Sequence, residues 1–183
     1  MDFESQIKQW ITNDPMRMKA LDLTAQMFKE LEVDDWYIAA GFVRNLVWDK
    51  LHGAAESVSD DIDVIYYCNE ETSVYRDKLI ELALAEMASF PWSVKNQARM
   101  HIKNQHPAYT SAKDAMSYWP ELQTAIGVKL DERGDIVVES VFGLPCLFNL
   151  TVNYNPKADE SVFMERVASK PWFNEYQNLS LEL

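Results

Sequence analysis

Two short apolar segments, WYIAA at 36–40 and IDVIYYC at 62–68, stand on either side of a stretch with helical spacing. This pairing constrains the fold more than any other feature of the chain. Both segments read as buried strands. Between them Val43, Leu46, Val47 and Leu51 recur at a helical period, with Gly41 turning the chain and His52 and Gly53 ending the helix. A buried strand, a helix and a second buried strand hide their apolar surface together only in a sheet with helices layered on it.

The remainder extends the same alternation. Residues 3–12 read as a helix with Phe3, Ile7, Trp10 and Ile11 on one side. Asp14 caps a second helix, Pro15 opens it, and it reaches about Leu31. A helix is expected over 72–89, with Thr72 as its cap and Leu79, Ala83 and Met87 facing inward. SVKNQARMHIK, 93–103, reads as a third strand whose polar face carries Lys95, Gln97, Arg99 and His101. Ser111 and Asp114 fit a capping box for a short helix reaching Trp119. TAIGVKL (124–130) and DIVVESVF (135–142) flank DERG as a hairpin, and Thr124 at its start lies within reach of a site. A last helix covers 159–169. The order ααβαβαβαββα implies an α/β (α+β) fold around one mixed sheet. A single domain over 1–183 is expected, with N-terminal helices over 3–31, a core over 36–156 and a helical tail over 157–183.

Composition enters as exclusion. A net charge of -12 repels polyanions, so long nucleic acid and anionic membrane are poor partners. The only cysteines, Cys68 and Cys146, lie far apart and suit free thiols in a reducing compartment. The polar start MDFESQIKQW is no secretory signal, and no apolar run is long enough for a membrane span. A cytoplasmic location is the expectation. Trp36, Trp48, Trp92, Trp119 and Trp172 read as core residues, although Trp48, one turn beyond Arg44, is also placed to stack on a base. His52, His101 and His106 lack metal-ligand spacing.

The chemistry sits in DDIDV. On a strand, Asp61 and Asp63 share one face, roughly 7 Å apart. Two carboxylates aimed at one point repel each other unless a cation lies between them. A hard ion, Mg²⁺ or Mn²⁺, removes that cost and bridges phosphate oxygens. The Gly41–Phe42 turn supplies the complement: a helix N-terminus offers unpaired N–H groups to an anion, and Arg44 adds a planar fork of donors. Lys95 and Arg99 extend this nucleotide-binding set from the polar strand face.

GFVRN resembles the GG-x-VRD segment of poly(A) polymerases and CCA-adding enzymes. DDIDV resembles the DhDh pair (h, apolar) of the DNA polymerase beta-like nucleotidyltransferase superfamily. Nearly the whole chain, through WSVKNQARMH, YWPELQTAIGVKL and VFGLPCLFNLTVNYNP, is similar to a small bacterial nucleotidyltransferase-like family, formerly a domain of unknown function. The resemblance implies a minimal mixed sheet flanked by helices, a nucleoside triphosphate and Mg²⁺ or Mn²⁺. It places Gly41 and Arg44 on the phosphate side and Asp61 and Asp63 as catalytic metal ligands, with Asp60 as a cap or support.

There are departures. Ala40-Gly41 replaces Gly-Gly, Asn45 replaces the aspartate of VRD, and the loop AAESVS (54–59) lengthens the gap to the aspartates. SVKNQARMHIK holds no acid, which leaves Glu139 as the candidate third carboxylate. The expected activity is metal-dependent transfer of a nucleoside monophosphate to a hydroxyl of a small molecule or protein. The alternative is a non-catalytic nucleotide-binding or regulatory module lacking a complete carboxylate set.

Overall fold

The computed structural model describes residues 2–54 and 61–182. Asp60 and most of the AAESVS loop lie outside the described residues. Helices α1 (Phe3–Thr12) and α2 (Pro15–Glu30) lead into β1 (Trp36–Ala39), α3 (Gly41–His52), β2 (Ile62–Tyr66), α4 (Val74–Met87) and β3 (Trp92–Asn96). Two short helices follow, α5 (Met100–Asn104) and α6 (Ala112–Met116), then the hairpin β4 (Ile126–Leu130) and β5 (Ile136–Ser140). The chain continues through α7 (Pro145–Phe148), β6 (Thr151–Asn153), α8 (Glu160–Ser169), α9 (Trp172–Glu175) and β7 (Ser180–Glu182).

The main sheet has five strands in the order β3-β2-β1-β4-β5. β2 and β3 run parallel, whereas β1 pairs antiparallel with both β2 and β4. The fold is therefore mixed α/β around one five-stranded sheet, as the element order implied. A separate pair, β6 with β7, is parallel. One sheet face carries the larger core, where Ile38, Val64, Val94 and Val128 meet Phe28, Leu46, Leu84 and Phe163 from the helices. The other face is thinly covered: Tyr37, Ala39 and Ile65 pack under Ala112 and Met116 of α6. On that face Gly127 is required, since a methyl there would come within 2.8 Å of the Tyr37 Cβ.

Local chemistry sets the boundaries. Asp14 accepts hydrogen bonds from the Met16 and Arg17 N–H groups and caps α2, with Pro15 in its first turn. Ser111 caps α6 through the Asp114 N–H, although α6 ends at Met116 rather than Trp119.

Three expectations need correction. Ser73, not Thr72, caps α4. The buried side of α4 is Asp77, Ile80 and Leu84, while Leu79 and Met87 face solvent. The buried carboxylate of Asp77 accepts from the Tyr66 hydroxyl at 2.7 Å and from the Asn96 N–H, and these bonds set the helix's rotation. The third strand stops at Asn96, where the side-chain oxygen takes the N–H of Ala98 at 3.0 Å and that of Cys68 at 3.1 Å. Capped in this way, the chain leaves the sheet as a 3-10 turn, Gln97–Arg99, and then α5. No alternating polar strand face extends past Asn96. Among the described residues, no helix is long and apolar enough to cross a membrane.

Candidate functional site

The strand register aligns one row of residues across the thinly covered face: Ser93, Asp63, Ala39, Gly127 and Glu139. Asp63 sits half-buried near the end of this row beside the strand-to-helix turn. The Ser93 hydroxyl donates to it. Burial first, and the neighbouring charge of Asp61 second, raise the Asp63 carboxyl to about 6. Arg44 and Lys95 oppose the shift without cancelling it. Asp61 itself is exposed at the start of β2.

Among the described residues, the turn leaves backbone donors unpaired at a helix start. Ala40 receives the N–H groups of Val43 and Arg44 on its carbonyl, at 3.2 and 3.0 Å. The N–H groups of Gly41 and Phe42 have no partner among the described residues. They stand at the start of a helix of 12 residues, where the helix dipole favours negative charge. The Phe42 side chain is buried. Its carbonyl accepts from Arg17 Nε at 3.0 Å, and Arg17 is in turn paired with Asp14, so the start of α2 braces the turn.

Ala40 has φ 57 and ψ -122, a backbone conformation that glycine adopts freely and alanine does not. Ala40→Gly is expected to raise stability by about 1 kcal/mol, since relieved strain outweighs the extra chain entropy of glycine. Urea denaturation of both proteins checks this, and a loss of stability contradicts it.

A cleft of about 480 Å³ joins these parts. Ala40, Asp63, Ser93, Lys95 and Gln97 line it together with Thr124 and Arg166. In a chain of net charge -12, Lys95, Lys103 and Arg166 concentrate cations on a single hollow. Lys95 thus stands in the cleft with Asp63.

Other sequence candidates lie elsewhere. Arg44 is buried beside the cleft, donating to Thr124 Oγ1 at 2.8 Å and to Asn45 Oδ1 at 2.9 and 3.2 Å. Its guanidinium lies over Trp172 at 4.6 Å and Trp48 at 5.1 Å. Burial lowers Arg44 to about 10, partly offset by Glu121. Trp48 is fully buried and presents no face to a base. Arg99 pairs with Asp77 behind β3. Glu139 bonds Lys113 at 2.8 Å; three strand spacings, roughly 14 Å, separate its position from Asp63. The sheet neighbour that faces Asp63 on β3 is Ser93. Among the described residues, no group of three or more acidic, histidine or cysteine side chains converges as a metal cage.

Sequence reasoning missed Arg166. It comes from α8, more than a hundred residues from the turn, and both oxygens of buried Glu121 accept from it, at 2.5 and 3.3 Å. Its one sequence signal is a lone arginine on a helix whose other basic positions are empty.

The comparisons agree with this architecture. A family model described as nucleotidyltransferase matches residues 26–181. A solved NMR structure, described as revealing a CCA-adding enzyme head domain, is 31% identical, with a TM-score of 0.83 over 97% of this chain and 95% of that one. A CCA-adding enzyme complexed with CTP is 16% identical at a TM-score of 0.60, and this chain spans 44% of its length. A tRNA-processing enzyme complex is 18% identical at a TM-score of 0.57, with 42% of its length spanned. At those identities the last two show the fold alone. No curated protein matches the chain. With a family match over most of its length and a relative of the same fold at 31% identity, the chain belongs to the nucleotidyltransferase family.

Proposed function

We propose that the protein transfers a nucleoside monophosphate from a nucleoside triphosphate to a hydroxyl of a small molecule or protein. One observation carries this reading. A half-buried aspartate, raised to about 6 by burial and by Asp61, shares a cleft with Ala40, which leads directly into Gly41 and Phe42, whose N–H groups have no partner among the described residues. The carboxylates of Asp61 and Asp63 fit a Mg²⁺ or Mn²⁺ ion, which typically takes one or two protein carboxylates and completes its shell with water and substrate phosphates. When bound, the ion neutralises charge on the phosphate oxygens. Gly41 and Phe42 receive a terminal phosphate on their N–H groups, and Lys95, Lys103 and Arg166 offset the remaining charge. Arg44 acts from behind, holding Thr124 against the cleft. The acceptor oxygen bonds to the α-phosphorus, the bond to the α–β bridging oxygen breaks, pyrophosphate leaves, and the hydroxyl proton passes to solvent. A cytoplasmic setting suits the free Cys68 and Cys146.

The distance of Glu139 and the burial of Arg44 favour a second reading, a nucleotide-binding module without turnover. One experiment separates the two: melting and pyrophosphate release with each of the four triphosphates and Mg²⁺ or Mn²⁺. A triphosphate at 100 times its dissociation constant adds about 2.7 kcal/mol of stability. The Asp61→Asn/Asp63→Asn protein is expected to stay folded and lose the shift. Binding without pyrophosphate selects the second reading, and an unchanged response in the double variant overturns the metal assignment.

A further inference from the structure

The cleft does not end at Lys103. A second hollow of about 340 Å³ shares Lys103, Asn104, Trp119 and Pro120 with the first as a common wall. Its character differs. Where the first hollow carries Asp63, Lys95 and Arg166, the second is lined by the rings of His106, Tyr118 and Trp119 together with Val162, Asp159 and the shared Lys103. The rings do not take the same part. His106 and Tyr118 stack on each other at 4.8 Å and 28°, and Lys157 Nζ sits over the Tyr118 ring at 5.0 Å. Those two side chains are already engaged.

Trp119 is not. Of the six tryptophans, Trp10, Trp36, Trp48, Trp92 and Trp172 each pack on another aromatic ring. Trp119 alone has no ring or cation partner among the described residues, and it is half-exposed at the junction of the two hollows. The exposed part of an indole in a concave site is a surface for stacking a flat ring. The pairing of a charged hollow with a ring-walled one also matches a ligand that is anionic at one end and planar at the other.

We propose that this annex holds the nucleobase of the nucleotide, stacked on Trp119. The assignment rests on the triphosphate reading of the first hollow. Burial lowers His106, so the imidazole adds no positive charge at pH 7; the charged residues of the annex, Lys103 and Asp159, are opposite in sign, and recognition is by stacking and shape. Stacking tolerates any base, since each presents a flat face.

The test compares two probes with Mg²⁺, ATP and inorganic tripolyphosphate, on the parent, Trp119→Ala and Trp119→Phe. Calorimetry gives affinities, and melting temperatures confirm folding. Trp119→Ala is expected to weaken ATP roughly tenfold or more. Tripolyphosphate, which has no ring, should hold within about twofold, and Trp119→Phe should recover most of the ATP affinity. Equal losses for both probes, or none for either, overturn the proposal. Intact ATP affinity in Trp119→Ala with impaired turnover would give the annex to the acceptor and also overturn it. A parent that binds neither probe sinks the triphosphate reading itself, whereas a parent that binds both equally sinks the annex alone.

Discussion

Asp77→Ala is expected to cost about 4 kcal/mol of unfolding free energy, the largest loss from any single polar change considered for this protein. The Asp77 carboxylate is buried within α4, yet it serves three other elements. It accepts the Tyr66 hydroxyl of β2 at 2.7 Å, the Asn96 N–H at the end of β3, and Arg99 of the following turn. Removing it strands a mostly buried guanidinium and two buried donors, and such groups cost far more unpaired than their bonds contribute when made. Asp77→Asn keeps an acceptor for Tyr66 but loses the charge pairing, so an intermediate loss is expected. Denaturation midpoints with unchanged slope give both values. A loss below about 1 kcal/mol for the alanine variant would show that the hub does not hold β2, β3 and α4 together. Lys95 and Gln97 flank Asn96, so nucleotide binding should weaken in the same variant.

Asp63→Asn is expected to act in the opposite direction and stabilise the metal-free protein by about 2 kcal/mol at pH 7. The sign follows from proton binding. The folded state holds the Asp63 proton up to about 6, against 3.8 for a free carboxyl. Folding therefore benefits from the protonated form at low pH, and that benefit is lost as pH rises through 6. Above it, the parent carries an ionised carboxylate in a poorly solvated place beside Asp61. The full shift corresponds to about 3 kcal/mol, and solvent access at the cleft mouth reduces it to about 2. Asparagine still accepts the Ser93 hydroxyl and carries no charge. Denaturation with a chelator present should show no gain near pH 4 and a growing gain up to pH 7. A gain that is flat across that range contradicts the account. The same variant should lose metal-dependent nucleotide binding, so the acid would be kept at the expense of stability.

Much of the fold was legible because local rules agreed with one another. The cap of α2 at Asp14, the glycine-led start of α3 and the DERG hairpin each follow from residues within one turn of the boundary. What was lost depends on contacts distant in sequence. Asn96 looked like one more polar strand residue, but its side chain reaches back to Cys68 and ends the strand. Leu79 looked inward by spacing, but the Asp77 hub turns α4 by one position. Near the site, the turn and Asp63 could be placed together because they belong to short contiguous motifs, whereas Asp61 is exposed and does not line the cleft. The burial of Arg44 could not, because only Trp48 lies on its own helix while Thr124 and Trp172 arrive from two distant parts of the chain. The same holds for Arg166, which reaches the cleft only through tertiary packing against Glu121.

The seating of Arg166 and Trp172 around Arg44 has a consequence for biogenesis. During synthesis the glycine turn and its arginine leave the ribosome long before α8 and α9 exist. Until those late helices dock, Arg44 lacks the Trp172 ring and the hollow lacks Arg166. A ribosome-bound intermediate should therefore be unable to trap nucleotide, and competence should appear abruptly once residues near 172 emerge.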